Sequence, residues 1–238
     1  ASDIMGSRTR LEMPAMRETR PKVHSMRGMV SSWAEKAAAA GVDGLIAVNR
    51  LAGGHPGPRE PEALLDELRP LGLPVVAAGG VATPTDFTAM LRLGYAGVQM
   101  GTRFVMSEEC AVHPKFKDTF RKAKARDAVA TPQFDSRLPV IPVRALKNVG
   151  TSEFGRLQLD LLRKLDENAI DRTEAQYEVE RFWMGALKHA VVDGDMKNGS
   201  LMAGQSVGMM NKVQPLREIL EDIVKEADQA VAEVAARL

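Results

Sequence analysis

The chain has 238 residues and a mass of 25.9 kDa, with 45% hydrophobic and 26% charged side chains. Lys and Arg number 32 against 31 Asp and Glu, a net charge of +1, which argues against a nucleic-acid groove or an anionic membrane surface as the main partner. One cysteine, Cys110, leaves no internal disulfide and no cysteine-based zinc site; no apolar run nears the ~20 residues that span a bilayer and residues 1–7 lack a secretory apolar core, so a cytoplasmic location is expected.

Residues 1–21 are rich in Arg, Met and Pro and read as irregular. A first regular unit is expected at 22–26, a strand containing His24. A helix follows from about Val30, with Trp33, Ala34, Ala37 and Ala38 on one face and Gly41 as its stop. A rhythm then sets in. Apolar runs at 44–48, 74–78 and 97–100 alternate with amphipathic helices at 61–71 and 83–93, the latter opened by Thr83-Pro84. Short continuous apolar runs between such helices predict parallel strands buried on both faces. The spacing suits an α/β fold, either a (β/α)8 barrel or a doubly wound sheet.

Beyond Phe104 the rhythm breaks. Residues 114–125 predict a basic helix, and 132–142, with three prolines, a loop or sheet edge. Two long helices are expected within 151–192. One carries Phe154, Leu157, Leu161, Leu162 and Leu165, the other Tyr177, Val179, Phe182, Trp183, Ala186, Leu187 and Ala190. A single terminal helix is expected from Leu216 to the end, with Leu216, Ile219, Leu220, Ile223, Ala227, Val231 and Val234 facing inward.

Three successive strand ends carry glycine: Gly53-Gly54 before His55, Gly79-Gly80, and Gly101 before Thr102. The C-terminal ends of strands face the ligand in α/β folds. Glycine there lets backbone N–H groups approach a phosphate, and a following helix N-terminus adds a positive dipole. Strand-end glycines also simply make turns, but three in a row favour a phosphate-bearing ligand. His55 falls at the mouth of such a site and can take or return a proton near neutrality. Met100 stands where its thioether could touch a flat cofactor ring. His113, in a basic segment, reads as solvated, and His189 as a packing residue. Asp43 lies at the opposite, stability end of its strand. The basic run from Lys115 to Arg126 reads as a solvated helix face. The small residues at 199, 203, 204 and 208 permit close approach of either another helix or a ligand.

These residues resemble the FMN-dependent nitronate monooxygenase family, formerly called 2-nitropropane dioxygenases. The likeness rests on Ala52-Gly53-Gly54-His55-Pro56-Gly57, Pro74-Val75-Val76-Ala77-Ala78-Gly79-Gly80-Val81 and Gly97-Val98-Gln99-Met100-Gly101-Thr102-Arg103-Phe104. Segments 107–110, 113–114, 143–148 and 199–205 continue it in order. The resemblance implies a (β/α)8 TIM barrel carrying FMN at its C-terminal face. Gly79, Gly80, Gly101 and Thr102 would hold the FMN phosphate, with Gln99 and Met100 nearby, Gly53 and Gly54 lining the site, and His55 as the catalytic histidine. It also implies a division into a barrel portion (1–126), a helical cap segment (127–212) and a terminal helix returning to the barrel (213–238). The strand ends correspond to strands six to eight and residues 23–26 to strand five. Strands one to four are therefore expected ahead of residue 22, in a longer chain.

The resemblance extends to the sister FMN-dependent enoyl-acyl-carrier-protein reductases, which share the Ala-Gly-Gly-His segment and the 199–205 motif. Two activities follow: oxidation of nitronates or nitroalkanes with O2, or NAD(P)H-dependent reduction of enoyl thioesters or quinones. A non-catalytic FMN- or phosphate-binding module is the reading from another class. Leu51 stands where the family carries an acidic residue, and Asn49-Arg50 where a glycine-containing loop is common; both bear on substrate polarity. Small-molecule partners are expected throughout, and a homodimer is left open.

Overall fold

The computed structural model describes residues 30–138 and 140–236, so the expected strand at 22–26 and its His24 lie outside the described residues. Helix α1, Val30–Ala39, runs until Gly41, whose φ of +77° turns the chain toward the sheet. Strands β1 (Leu45–Val48), β2 (Val75–Ala78) and β3 (Gly97–Gln99) form one parallel sheet in that order. Leu45 pairs with Val75 and Val76 with Gly97. Each strand lies one residue inside its expected apolar run.

The crossovers are helices α2, Pro61–Leu68, and α3, Pro84–Leu93. Helix α2 opens on a proline and tightens into a 3-10 turn over Arg69–Leu71, which Gly72 ends at φ +66°. Helix α3 begins with a capping box. The Thr83 hydroxyl accepts from the Asp86 amide, and the Asp86 carboxylate accepts from the amides of Ala82 and Thr83. One sheet face meets α1 and α2 in a core of Ala34, Leu64, Leu65, Leu68, Val75 and Ala77. Burying each leucine contributes roughly 1.5–3 kcal/mol. The neighbouring exposed Arg59–Glu67 ion pair is worth about 0–1 kcal/mol, so apolar burial fixes this layer. Tyr95 closes it by donating its hydroxyl to the Pro61 carbonyl at 2.6 Å. The other sheet face is open enough to leave Ile46 44% exposed.

Beyond β3 come a short helix α4, Thr102–Val105, and the basic helix α5, Pro114–Lys122. Most of the Lys115–Arg126 charges are exposed, as expected of a solvated face. The sequence reading missed the next feature. Strands β4, Ala128–Ala130, and β5, Arg144–Leu146, pair antiparallel. Both are three residues long, and β5 opens on a charged residue, so neither shows a hydrophobic period. The proline-rich segment between them is loop, tied down by the buried Gln158, which donates to the Pro132 carbonyl at 3.0 Å.

Helices α6, Val149–Asp166, and α7, Arg172–Val191, form a hairpin. Phe154, Phe182 and Trp183 cluster at its centre, with centroids 4.5–5.5 Å apart. Asn148 and Asp171 supply the N-caps. Tyr177, named from the sequence with the apolar residues of this helix, is exposed.

The chain after Gln214 corrects another expectation. In place of one terminal helix there are two, α8 at Leu216–Val224 and α9 at Ala227–Ala235, broken at Lys225-Glu226. Both pack on α3, and the break lets each segment lay its own buried side chains there, Ile219 and Ile223 from α8 and Ala230 from α9. Leu220 and Val231, expected inside, are exposed as a result. None of the described helices is long and apolar enough to cross a membrane.

Candidate active site at the strand ends

A cleft of about 460 Å3 opens at the C-terminal ends of β1, β2 and β3. That volume lies within the roughly 300–1,000 Å3 typical of small-molecule and cofactor sites. Every residue singled out from the sequence lines it: Gly53, Gly54 and His55 after β1, Gly79 and Gly80 after β2, and Gln99, Met100, Gly101 and Thr102 at and after β3. The segments 79–80 and 101–102, well separated in the chain, thus share one cavity.

The glycines are there for different reasons. Gly79 and Gly80 have φ of +112° and +82°, and a Cβ on either would stand 2.7 Å from Ala52 or Leu51. Gly53 touches the backbone of the opposite wall, where a Cβ would lie 2.5 Å from the Gly204 nitrogen. Turn geometry and packing account for these three. Gly101 is unlike them. Its φ of −103° suits any residue, and an added Cβ would meet no protein atom within 4 Å. Protein packing does not require glycine there, and the residue lines the cleft. Among the described residues no backbone carbonyl accepts from the amides of Gly79, Gly80 or Gly101. This cradle fits a nucleotide phosphate, which takes its hydrogen bonds from such donors.

One part of the expected anion site is not available. The N-terminus of α3, downstream of Gly79-Gly80, is closed by its own capping box, with the Asp86 carboxylate on the amides of Ala82 and Thr83. The loop amides remain as candidate donors. Thr102 has a double use: its Oγ1 accepts from the Gly204 amide at 2.9 Å, which leaves its own O–H proton to donate into the cleft.

His55 stands at the lip, exposed on its outer side. Partial burial pushes its imidazole pKa below the ordinary histidine value. The ring is therefore neutral at pH 7 and able to accept a proton. The other described histidines serve elsewhere. His113 caps α5, its Nδ1 accepting from the Lys115 amide at 3.2 Å, and its ring lies against Gly194. His189 is exposed rather than packed.

The small-residue segment 199–208 both packs closely within the chain and reaches the cleft. A Cβ on Gly199 would lie 2.6 Å from the Ala190 nitrogen, and on Gly208 2.6 Å from the Ala125 nitrogen, so both are packing glycines. Met202, Gly204 and Ser206 line the cleft. The turn at Gln205–Met209 is 3-10 and only five residues long.

Asn49, named from the sequence only as bearing on substrate polarity, does not line the cleft. It is fully buried and ties two strand ends together, its Nδ2 donating to the Gly79 carbonyl at 2.9 Å and its Oδ1 accepting from the Leu51 amide at 2.8 Å. A polar residue directly after an apolar strand was the available signal.

Comparison with known proteins adds the following. The family model for nitronate monooxygenase matches residues 13–226. A dehydrogenase of Mycobacterium tuberculosis, named for (3aS,4S,5R,7aS)-5-hydroxy-7a-methyl-1-oxo-octahydro-1H-indene-4-carboxyl-CoA, is 30% identical over 82% of this chain and 62% of its own length. A probable nitronate monooxygenase of Staphylococcus saprophyticus is 28% identical over 80% of this chain and 52% of its own. Among solved structures, FabK from Thermotoga maritima superposes with a TM-score of 0.68 at 34% identity, covering 87% of this chain and 61% of that one. Nitroalkane oxidase from Streptomyces ansochromogenes, at 24% identity and a TM-score of 0.62, shares the fold. The chain spans between half and two thirds of the length of these proteins. The reach of the family match, over most of the sequence and all of the cleft, makes this chain a member of the nitronate monooxygenase family.

Proposed function

We propose that the cleft binds FMN and that the protein oxidises nitronates, or nitroalkanes after proton removal, with O2. The observation that carries this reading is the convergence of His55 and the three strand-end glycine segments on one 460 Å3 cleft. The three parallel strands with their crossover helices would be part of a (β/α)8 barrel, with residues 1–126 in the barrel, 127–212 as cap and 213–238 returning to the barrel. The likeness to enzymes of the family supports this division.

When bound, FMN would supply the redox chemistry, taking electrons from the substrate carbon and passing them to O2. The protein's residues do the rest. The amides around Gly79, Gly80 and Gly101, with the Thr102 hydroxyl, would hold the phosphate. Gln99 and Met100 would flank the ring, and Gly53 and Gly54 keep the facing wall free of side chains. His55, neutral because burial lowers its pKa, accepts the α-proton of a neutral nitroalkane on a ring nitrogen, leaving the anionic nitronate. A preformed nitronate needs no such transfer.

A second reading has its own support: FabK at 34% identity and a relative named as a carboxyl-CoA dehydrogenase. It makes the protein an NAD(P)H-dependent flavin reductase of enoyl thioesters or quinones. Visible spectra of the purified protein separate the two. Flavin bands are expected, bleached anaerobically by a nitronate and not by NADPH; bleaching by NADPH alone selects the reductase, and a colourless protein that takes up no added FMN refutes both. His55→Asn should slow turnover of neutral nitroalkanes more than that of nitronates. Equal losses would remove the base role.

A further inference from the structure

We propose that Arg144 is a positioning residue for the cleft wall: its guanidinium locks segment 50–54 in the shape that FMN binding requires. The inference rests on the FMN reading above. Arg144 sits on β5 behind the wall, not among the residues that line the cleft, and is 9% exposed. Its Nε donates to the Ala52 carbonyl at 3.1 Å and its Nη2 to the Arg50 carbonyl at 2.8 Å. Its Nη1 donates to the Ala128 carbonyl on β4 at 2.9 Å. The main chain of the same residue exchanges hydrogen bonds with Gly54 in both directions, at 3.1 and 2.6 Å. One residue thus grips the wall with side chain and backbone together.

The acceptors decide what this arginine is for. A buried arginine that serves stability alone is normally set against a carboxylate, and here all three acceptors are carbonyls. Burial and the neighbouring Arg50 both disfavour its charge. A methionine could fill the same volume without that penalty. What methionine lacks is the planar fork of N–H groups, which reaches two segments at once in fixed geometry. The wall needs such a device. Segment 50–54 belongs to no helix or strand, Gly54 is held at φ +67°, and Gly53 is pressed against Gly204 with no tolerance for a Cβ. His55 follows directly.

The test uses the 238-residue chain carrying R144M, which keeps bulk without donors, and R144K, which keeps the charge without the fork. Amide hydrogen–deuterium exchange is measured without added FMN, and FMN affinity by quenching of flavin fluorescence. In R144M, exchange over 50–57 is expected to rise tenfold or more while α6 and α7 keep their protection, and FMN binding to weaken tenfold or more. R144K should fall between R144M and wild type in both. Wild-type exchange at 50–57 overturns the proposal, as does a rise spread equally over the α6–α7 hairpin, which would mark Arg144 as general packing. If R144M does not fold, R144K decides alone: unchanged exchange and affinity overturn the proposal. A wild-type chain that does not bind FMN refutes the cofactor reading instead, and the exchange measurement still judges Arg144.

Discussion

Gly101→Ala separates a ligand-imposed glycine from a packing glycine. The residue has φ −103° and ψ −63°, ordinary helical-side backbone, and the new methyl meets no protein atom within 4 Å. Folding should therefore tolerate it. Restricting the unfolded chain should even stabilise the protein by about 0.4–1 kcal/mol, a rise in Tm of roughly 1–4 °C for a chain of this size. Ligand binding should move the other way. A methyl on the cleft wall keeps an anion from closing on the local amides, and a hydrogen bond to a charged group contributes about 1.5–3 kcal/mol. The expected loss of FMN affinity is therefore roughly tenfold to a hundredfold. Fluorescence titration and a thermal melt of the FMN-free chain measure the two effects separately. Wild-type affinity in the variant, or a fall in affinity matched by a fall in Tm, would refute the reasoning.

Other substitutions test neighbouring parts of the structure. Gly53→Ala places a Cβ 2.5 Å from the Gly204 nitrogen, and overpacking of this kind costs about 1–3 kcal/mol; calorimetry should show Tm lowered by roughly 2–12 °C, and no change would mean that the two walls are not in contact. The lowered pKa of His55 puts the acid limb of nitroalkane turnover below pH 6.5; H55N should abolish that limb, and a limb centred above pH 7 would contradict the burial at the lip. Tyr95, buried, has its pKa pushed up to about 12, chiefly by desolvation and further by Asp66. The unfolded chain releases this proton near pH 10 and the folded one near 12, so stability is whole below pH 10 and declines above it. Urea denaturation of Tyr95→Phe should show a loss of about 0.5–1.5 kcal/mol at neutral pH, from the lost hydrogen bond to the Pro61 carbonyl, and a shallower alkaline decline than wild type; equal alkaline slopes would assign the decline to other groups.

The sequence was most informative where local rules and burial agree. Short continuous apolar runs mark parallel strands, so β1, β2 and β3 could be placed to within a residue and their ends marked the cleft, but the expected burial on both faces does not hold, because helices cover one face and Ile46 on the other is exposed. It was least informative where tertiary contacts overrule periodicity. Strands β4 and β5 are too short for a period, and Arg144 at the start of β5 is the kind of residue that argues against a buried strand. The terminal helix had a continuous apolar stripe through Leu220 and Val231, yet packing on α3 divides it and leaves both exposed. At the cleft, glycine spacing identified the lining residues. It could not tell Gly101, where an added Cβ meets no protein atom, from Gly53, where it meets Gly204, because that difference lies in what surrounds a missing Cβ. The residues behind the lining, Asn49 and Arg144, act through carbonyls of distant segments, which no spacing rule encodes.

The stretch from Arg144 to Asn148 is a short strut with a grip at either end. At one end the arginine holds the turn beside His55. At the other, the Asn148 side chain starts α6 and donates to the Met196 and Gly199 carbonyls at 3.0 and 2.7 Å. The lever between these anchors is too short to absorb much displacement. A substitution at the root of α6 is therefore expected to reach the cleft wall through these hydrogen bonds without touching a single residue that lines it.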